Sequence, residues 1–162
     1  MDCDCDQNAD PGRAVSLGAP GAGTWVRLWN RVDPWGDSSI RVCVRIGAPG
    51  LLAAVHQVTL SVMGDCDLVS FFDDLTGDFT GWDGAQVWES MDHDLRVEAV
   101  FASRGYVGLT WTVRPWRHTD GNWTASTTVV LEAGEQMLQL ANKLNRVLGP
   151  PAPGELSPGV TH

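Results

Sequence analysis

The sequence predicts an α+β fold, a mostly antiparallel sheet of about six strands with two amphipathic helices packed on one face. Three observations lead to this prediction. Apolar residues alternate with polar ones over most of the chain, which is typical of strands. Two segments, one central and one near the end, change to the spacing of a helix. A chain of 162 residues that are 43% hydrophobic can form one domain with a core.

The first half of the chain has three segments with the alternation of a strand that is wet on one face. In SSIRVCVRIG, the second of these, the apolar side chains fall at every other residue: Ile40, Val42, Val44 and Ile46. TWVRLWN precedes it across the turn DPWGDS, and LLAAVHQVTLSVM follows it. These segments predict the first three strands.

A helix is predicted from Asp67, where the spacing of the apolar residues changes. Its apolar residues lie at i, i+3, i+4 and i+7, which places them on one side of a helix: Leu68, Phe71, Phe72 and Leu75. Gly77 and the turn TGWDG end the helix.

The second half of the chain repeats this order. DLRVEAVFA and YVGLTWTVRPW alternate in the same way and are joined by SRG, which predicts a hairpin. NWTASTTVVLE is rich in β-branched residues and predicts a further strand. Residues 133–148 have the apolar stripe of a second helix, which Gly149 and Pro150 end. The predicted order is therefore βββα-βββα.

The composition divides the chain into three parts. Residues 1–23 are rich in Asp, Gly, Ala and Pro without apolar periodicity, and we expect a flexible leader there. Residues 24–149 form the single predicted α+β domain. Residues 150–162 are rich in Pro and Gly, which favours a disordered tail.

The formal charge of −9 argues against nucleic acid and against an anionic membrane as partners, because binding to either requires lysine and arginine. It is compatible with a basic protein partner and equally with plain solubility. The acidic start MDCDCDQNAD does not have the pattern of a secretory signal, and the chain has no apolar run of about 18 residues. We therefore expect a cytoplasmic protein with reduced cysteines.

Patterns that indicate catalysis or metal binding are weak in this sequence. The G-x-S-x-G motif of a nucleophile elbow is absent. Calcium binding by an EF-hand loop fails from either Asp73 or Asp78, because Phe, Thr or Leu occupies ligand positions. Three histidines of the predicted domain are interpreted as strand or turn residues: His56, His93 and His118. We expect no enzymatic activity, no cofactor and no metal.

The most unusual feature is an acidic block from Asp65 to Asp94, with nine acidic residues and no lysine or arginine. Two tryptophans interrupt it, and tryptophan is enriched at protein interfaces. The block predicts a partner-binding surface with these residues: Asp73, Asp74, Asp78, Trp82, Asp83, Trp88, Glu89 and Asp92. In the alternative interpretation, both tryptophans fill the gap between helix and sheet and the carboxylates are simply solvated.

FFDDLTGDFTGWDGAQVWES, the following DLRV and the late LEAGEQM resemble a group of small actinobacterial proteins that form a domain family of unknown function. The resemblance extends from Ile40 to Leu148, and it assigns no functional residues. In its order of strands, helix, WES segment, hairpin and final helix, the chain also resembles WapI-type immunity proteins. That resemblance implies a small cytoplasmic protein that binds and blocks a toxin.

Together these features predict a non-enzymatic protein-binding domain. The more specific version of this prediction is an immunity-like protein that binds and blocks a basic partner or toxin. The alternative is a small-molecule-binding protein or an enzyme with a pocket between the sheet and the helices.

Overall fold

The computed structural model describes residues 14–18, 23–32, 39–61, 67–116 and 121–148. These residues form eight strands and two helices in the order ββββα-ββββα. The elements are β1 (Val15–Leu17), β2 (Trp25–Val32), β3 (Ile40–Ala48), β4 (Leu51–Ser61), α1 (Asp67–Gly77), β5 (Ala85–Glu89), β6 (Leu95–Ala102), β7 (Tyr106–Val113), β8 (Ala125–Glu132) and α2 (Glu135–Leu148).

The strands form two antiparallel sheets of four, in which each strand pairs with its neighbour in the sequence. The first sheet has the order β1-β2-β3-β4 and the second has the order β5-β6-β7-β8. In β3 the predicted apolar side is buried, since Val42, Val44 and Ile46 are all buried. The opposite side is not wet as predicted, because Cys43 is also buried and its arginine neighbours are half-buried. The pairing of β3 with β4 shifts its register between Val42 and Val44, where a bulge interrupts the ladder.

Both sheets and both helices contribute to one hydrophobic core. Phe72 of α1 stacks on Trp111 of β7, with 5.9 Å between ring centroids and 16° between ring planes. Both rings are fully buried, so this contact connects the first half of the chain to the second. Aromatic pairs in such geometry contribute roughly 0.5–1.5 kcal/mol beyond the burial of their area.

The helices pack against each other, and α2 also contacts β1 of one sheet and β8 of the other. The buried side of α2 is the apolar stripe that the sequence predicted. It consists of Met137, Leu140, Ala141, Leu144 and Leu148. Neither α1 nor α2, the helices of the described residues, is long and apolar enough to cross a membrane.

The α+β class is confirmed, but the predicted single sheet of about six strands is wrong, because the described residues form two sheets of four strands. The sequence did not predict β1 and β5. Each of them is the first strand of its sheet and lies at one edge of that sheet. β1 has only three residues, and nearly all of β5 is exposed, so neither has a clear period of two. The helices contact both sheets rather than one face of a single sheet.

β1 lies within the segment that was predicted to be a leader, and it pairs with β2. Within residues 1–23, the structure describes only 14–18 and 23. The predicted tail at 150–162 lies outside the described residues. The described residues also do not include Asp65, His118, Gly149 and Pro150.

Removal of the ring at Phe72 tests the connection between the two halves of the chain. Phe72→Ala deletes a fully buried ring that stacks on Trp111, and we expect it to lower the free energy of unfolding by about 3–5 kcal/mol. Phe79→Ala removes the same side chain from a position that is 65% exposed, and it serves as the matched control. Urea unfolding followed by tryptophan fluorescence measures both changes, and equal losses would contradict the packing described here.

Candidate functional site

Four of the predicted carboxylates lie on the second half of α1 and on the loop that leads to β5. Asp73 and Asp74 are exposed on α1, and Asp78 and Asp83 are exposed on the loop. The loop is fixed to the helix end, because the Asp78 N–H donates to the carbonyls of Asp74 and Leu75, at 3.2 Å each. The Gly81 N–H then donates to the Asp78 carbonyl at 2.9 Å. We call Asp73, Asp74, Asp78 and Asp83 the acidic surface.

Most of the acidic surface has no internal partner. The carboxylate of Asp73 accepts a hydrogen bond of 2.9 Å from Nδ2 of Asn145, which links α1 to α2. Asp74, Asp78 and Asp83 form no side-chain hydrogen bond or ion pair with any residue that the structure describes. Their negative charge is therefore available to an external partner.

Trp82 is held rigidly beside the acidic surface. Its Nε1–H donates to the Ala99 carbonyl at 3.2 Å, and its ring meets Phe101 edge to face, with 5.3 Å between centroids. Gly81 permits this approach: its φ is +111°, and a Cβ there would lie 3.0 Å from the ring of Phe101. Trp82 is half-buried, so the loop presents a fixed aromatic surface.

An open concavity of about 460 Å³ lies between this loop and the end of β6. Trp82 and Phe101 supply its aromatic lining, and Asp83, Thr80 and Ser103 supply polar groups. A carboxylate beside aromatic rings suits a cationic side chain, which gains both ionic and cation–π attraction. The concavity lies at the surface, whereas the alternative small-molecule function requires a pocket between sheet and helices.

The remaining predicted residues lie on β5 and on the turn after it. Trp88 is half-buried and packs against the core, as Trp82 also does, which is what the alternative interpretation of the tryptophans requires. Glu89 is exposed, and its Oε1 contacts Nδ1 of His93, which has a positive φ of 59° in the turn. Asp92 is exposed in the same turn. These residues follow the acidic surface along the chain, and the Glu89 carboxylate already has a partner in His93.

Asp94 differs from the rest of the acidic block, because it is only 1% exposed. Ser90 Oγ donates to Asp94 Oδ1 at 2.5 Å and accepts from the backbone N–H groups of Asp94 and Leu95 at 3.1 and 3.0 Å. Burial raises the pKa of the Asp94 carboxyl above its ordinary 3.8, and the Ser90 hydrogen bond partly opposes this rise. Asp94 therefore holds the β5–β6 turn in shape and does not belong to the surface.

The first sheet also has an arginine face. Arg27 and Arg45 are cross-strand partners, and their guanidinium carbons lie 5.9 and 5.3 Å from the ring centroid of Trp29. Trp29 and Cys43 are themselves buried on this side of the sheet, in a small cluster apart from the main core. The sequence places Cys43 between the arginines of β3, but the contribution of Trp29 and Arg27 from β2 was not predicted.

Metal-ligating side chains do not come together in the described part of the chain, where no group of three or more His, Cys, Asp or Glu residues is placed to hold an ion. The carboxylates of the acidic surface therefore lie along the helix and the loop and do not surround a common position for an ion.

The fold and the site define an α+β domain of two sheets and two helices with an exposed acidic surface. The chain belongs to DUF6228, a family of unknown function, whose profile matches residues 17–151. The match begins at the last residue of β1 and extends past α2, so it includes nearly all of both halves. No curated protein and no solved structure matches the chain.

Substitution of Gly81 tests how the loop fixes Trp82. In Gly81→Ala the new Cβ meets the ring of Phe101 and the backbone is strained, so we expect a loss of about 1–3 kcal/mol in the free energy of unfolding. Gly84→Ala is the matched control, with a positive φ of 72° and no atom within 4 Å of the new Cβ. We expect Gly84→Ala to lower the free energy of unfolding by only about 1 kcal/mol. Equal losses in urea unfolding would show that the contact with Phe101 is unimportant.

The raised pKa of Asp94 predicts a pH-dependent stability. As pH rises above 3.8, the unfolded chain loses this proton before the folded chain does, so the free energy of unfolding falls with pH. Asp94→Asn cannot ionise, yet its Oδ1 can still accept from Ser90. We expect the variant to gain stability relative to wild type as pH rises from 3.8 through the raised pKa.

Urea unfolding at a series of pH values measures the difference between the two proteins. Asp83→Asn removes an exposed carboxylate and retains Asp94, so it should follow the wild-type pH dependence. A constant difference between wild type and Asp94→Asn over the whole pH series would contradict the assignment.

Proposed function

We propose that this protein is a non-enzymatic binding domain that uses the acidic surface and the adjacent Trp82–Phe101 concavity to bind a basic protein. The observation that carries the proposal is the presence, at the C-terminal end of α1, of exposed carboxylates that have no side-chain partner among the residues that the structure describes.

The position of these carboxylates is unfavourable for the helix itself. The C-terminal end of a helix carries partial negative charge, which favours cations by about 0.3–1 kcal/mol and disfavours anions to a similar degree. α1 has no basic residue in its last turn and is followed by Asp78. α2 has the favourable arrangement, with Glu135 in its first turn and Arg146 in its last. The contrast within one chain supports a role for the α1 carboxylates other than stability.

The concavity supports binding over plain solvation. Carboxylates needed only for solubility do not require a rigid aromatic surface beside them, whereas recognition of lysine or arginine uses both. Asp83 belongs to the lining of the concavity together with Trp82 and Phe101. A cationic side chain of the partner would contact the carboxylate and the exposed part of the rings together.

The kind of partner follows from the charge. Clustered carboxylates increase the rate at which a basic protein encounters this surface and select against acidic ones. In the narrower form of the proposal, suggested by the resemblance to WapI-type immunity proteins, the partner is a basic toxin and binding blocks it.

Charge reversal at the concavity tests the proposal. Asp83→Lys places a cation where the partner's cation would lie, and we expect affinity to fall about tenfold or more, which corresponds to about 1.4 kcal/mol. Glu132→Lys makes the same change of charge at an exposed position on β8 and is the matched control.

The measurement begins with capture from the lysate of the source organism on wild type and both variants, compared by quantitative mass spectrometry. Basic proteins retained by wild type and by Glu132→Lys, and lost with Asp83→Lys, are then purified, and their dissociation constants are measured by calorimetry at low and high salt. Capture that is identical for wild type and Asp83→Lys would contradict the proposal.

A further inference from the structure

β5 is the edge strand with the least contact to the described helices. The two sheets have four edge strands, and three of them contact a helix: β1 and β8 contact α2, and β4 contacts α1. β5 pairs with β6 and has no comparable contact with a helix or a second strand in the described part of the chain. An uncovered edge can accept a strand from another chain.

The pairing of β5 with β6 shows which backbone groups of β5 face outward. The Ser90 N–H donates to the Leu95 carbonyl at 2.8 Å, in register with the β5–β6 ladder. Residues of an antiparallel strand alternate between facing the partner and facing away. Trp88 therefore bonds to β6, and Val87, on the odd-numbered side of the strand, directs its N–H and C=O to the open edge.

The outward groups of the strand belong to Ala85, Val87 and Glu89. None of these N–H and C=O groups pairs with other backbone among the residues that the structure describes.

β5 has few of the features that protect a sheet edge. Proteins commonly place lysine, proline or a bulge in an exposed edge strand to prevent pairing. β5 has the sequence AQVWE, and its register with β6 runs without a shift from Ala85 to Glu89. Its protective features are its shortness and the charge of Glu89 at its end. The edge is therefore regular enough to extend the second sheet by one strand.

Acidic groups lie at both ends of this edge. Asp83 of the concavity comes just before β5, and Glu89 is its last residue. The five residues of β5 extend about 13 Å at roughly 3.3 Å per residue, and Gly84, with a φ of 72°, bends the chain between Asp83 and the strand. A segment paired with β5 would thus have Asp83 just beyond one end of the strand and Glu89 at the other.

We propose that the partner binds through an extended segment bearing lysine or arginine, which pairs with β5 as an additional strand of the second sheet. This inference rests on the proposed function and specifies how the partner binds. Backbone hydrogen bonds to Ala85, Val87 and Glu89 supply affinity, and Asp83 and Glu89 select basic side chains. The concavity then receives one cationic side chain at the start of the strand.

A proline at Val87 tests the proposal. Val87→Pro removes an outward N–H and leaves the bonds to β6 intact, so the variant should fold with a melting temperature near that of wild type. Val87→Ala is the matched control, since it removes the same exposed side chain and retains the N–H. The probe is a fluorescein-labelled peptide in which lysine alternates with valine, and its binding is measured by fluorescence anisotropy.

We expect Val87→Pro to weaken binding of this peptide roughly tenfold and Val87→Ala to leave it nearly unchanged. A second peptide, in which proline replaces every valine, has the same charge and cannot form a strand, so it should bind weakly to wild type. Amide hydrogen exchange on wild type adds a measurement that does not depend on the variant folding. The Val87 amide should exchange more slowly in the presence of the lysine-valine peptide.

The outcomes separate this inference from the proposed function. If Asp83→Lys loses the peptide and Val87→Pro retains it, the acidic surface binds and the strand pairing is wrong. Equal binding of the proline peptide, or unchanged exchange at Val87, also overturns the pairing. If wild type binds neither peptide, the strand pairing is overturned, and the proposed function is decided separately by the capture experiment with Asp83→Lys. If wild type is a dimer that Val87→Pro dissociates, β5 pairs with a second copy of this chain and the inference is overturned.

Discussion

The packing of α1 and β7 through Phe72 and Trp111 is the contact on which the rest of the structure depends. Each half of the chain is a four-stranded sheet followed by a helix, and each sheet has one apolar face that must be covered. The two sheets contact each other through β2, β3 and β4 of the first and β7 and β8 of the second. Because α1 also stacks on the second sheet and α2 contacts strands of both, the sheets and helices together cover both apolar faces. The loop that carries Asp78, Trp82 and Asp83 begins at the end of α1, so this same contact positions the candidate site.

The sequence predicted the elements that have one buried and one exposed side. β3 and both helices were found because Val42, Val44 and the stripe of α2 repeat at the period of their element. β5 was not found because its residues are exposed on both sides, and such a strand has no alternation to detect. The number of sheets could not be predicted from alternation. Alternation indicates which side of a strand is buried, but it does not indicate which strands are neighbours.

The candidate site was predictable as a block of charge but not as a surface. Asp83 and Asp94 look alike in the sequence, yet one lines an open concavity and the other is buried against Ser90. Burial depends on residues that the sequence places far away, so no local pattern separates the two. The same holds for Trp82 and Trp88: both pack against the core, but only Trp82 also lines the concavity. The acidic composition identified the region, and tertiary contacts determined which of its side chains are available.

The order of strands within each sheet has a consequence for how the chain folds. Every strand pairs with its neighbour in the sequence, so most backbone pairing forms between segments only a short loop apart. Short loops lose little entropy when they close, and topologies rich in such local contacts fold quickly for β-containing proteins. The first sheet can be complete before the ribosome has synthesised β5. The contact between α1 and β7 joins distant parts of the chain, so we expect it to form last and to make folding cooperative.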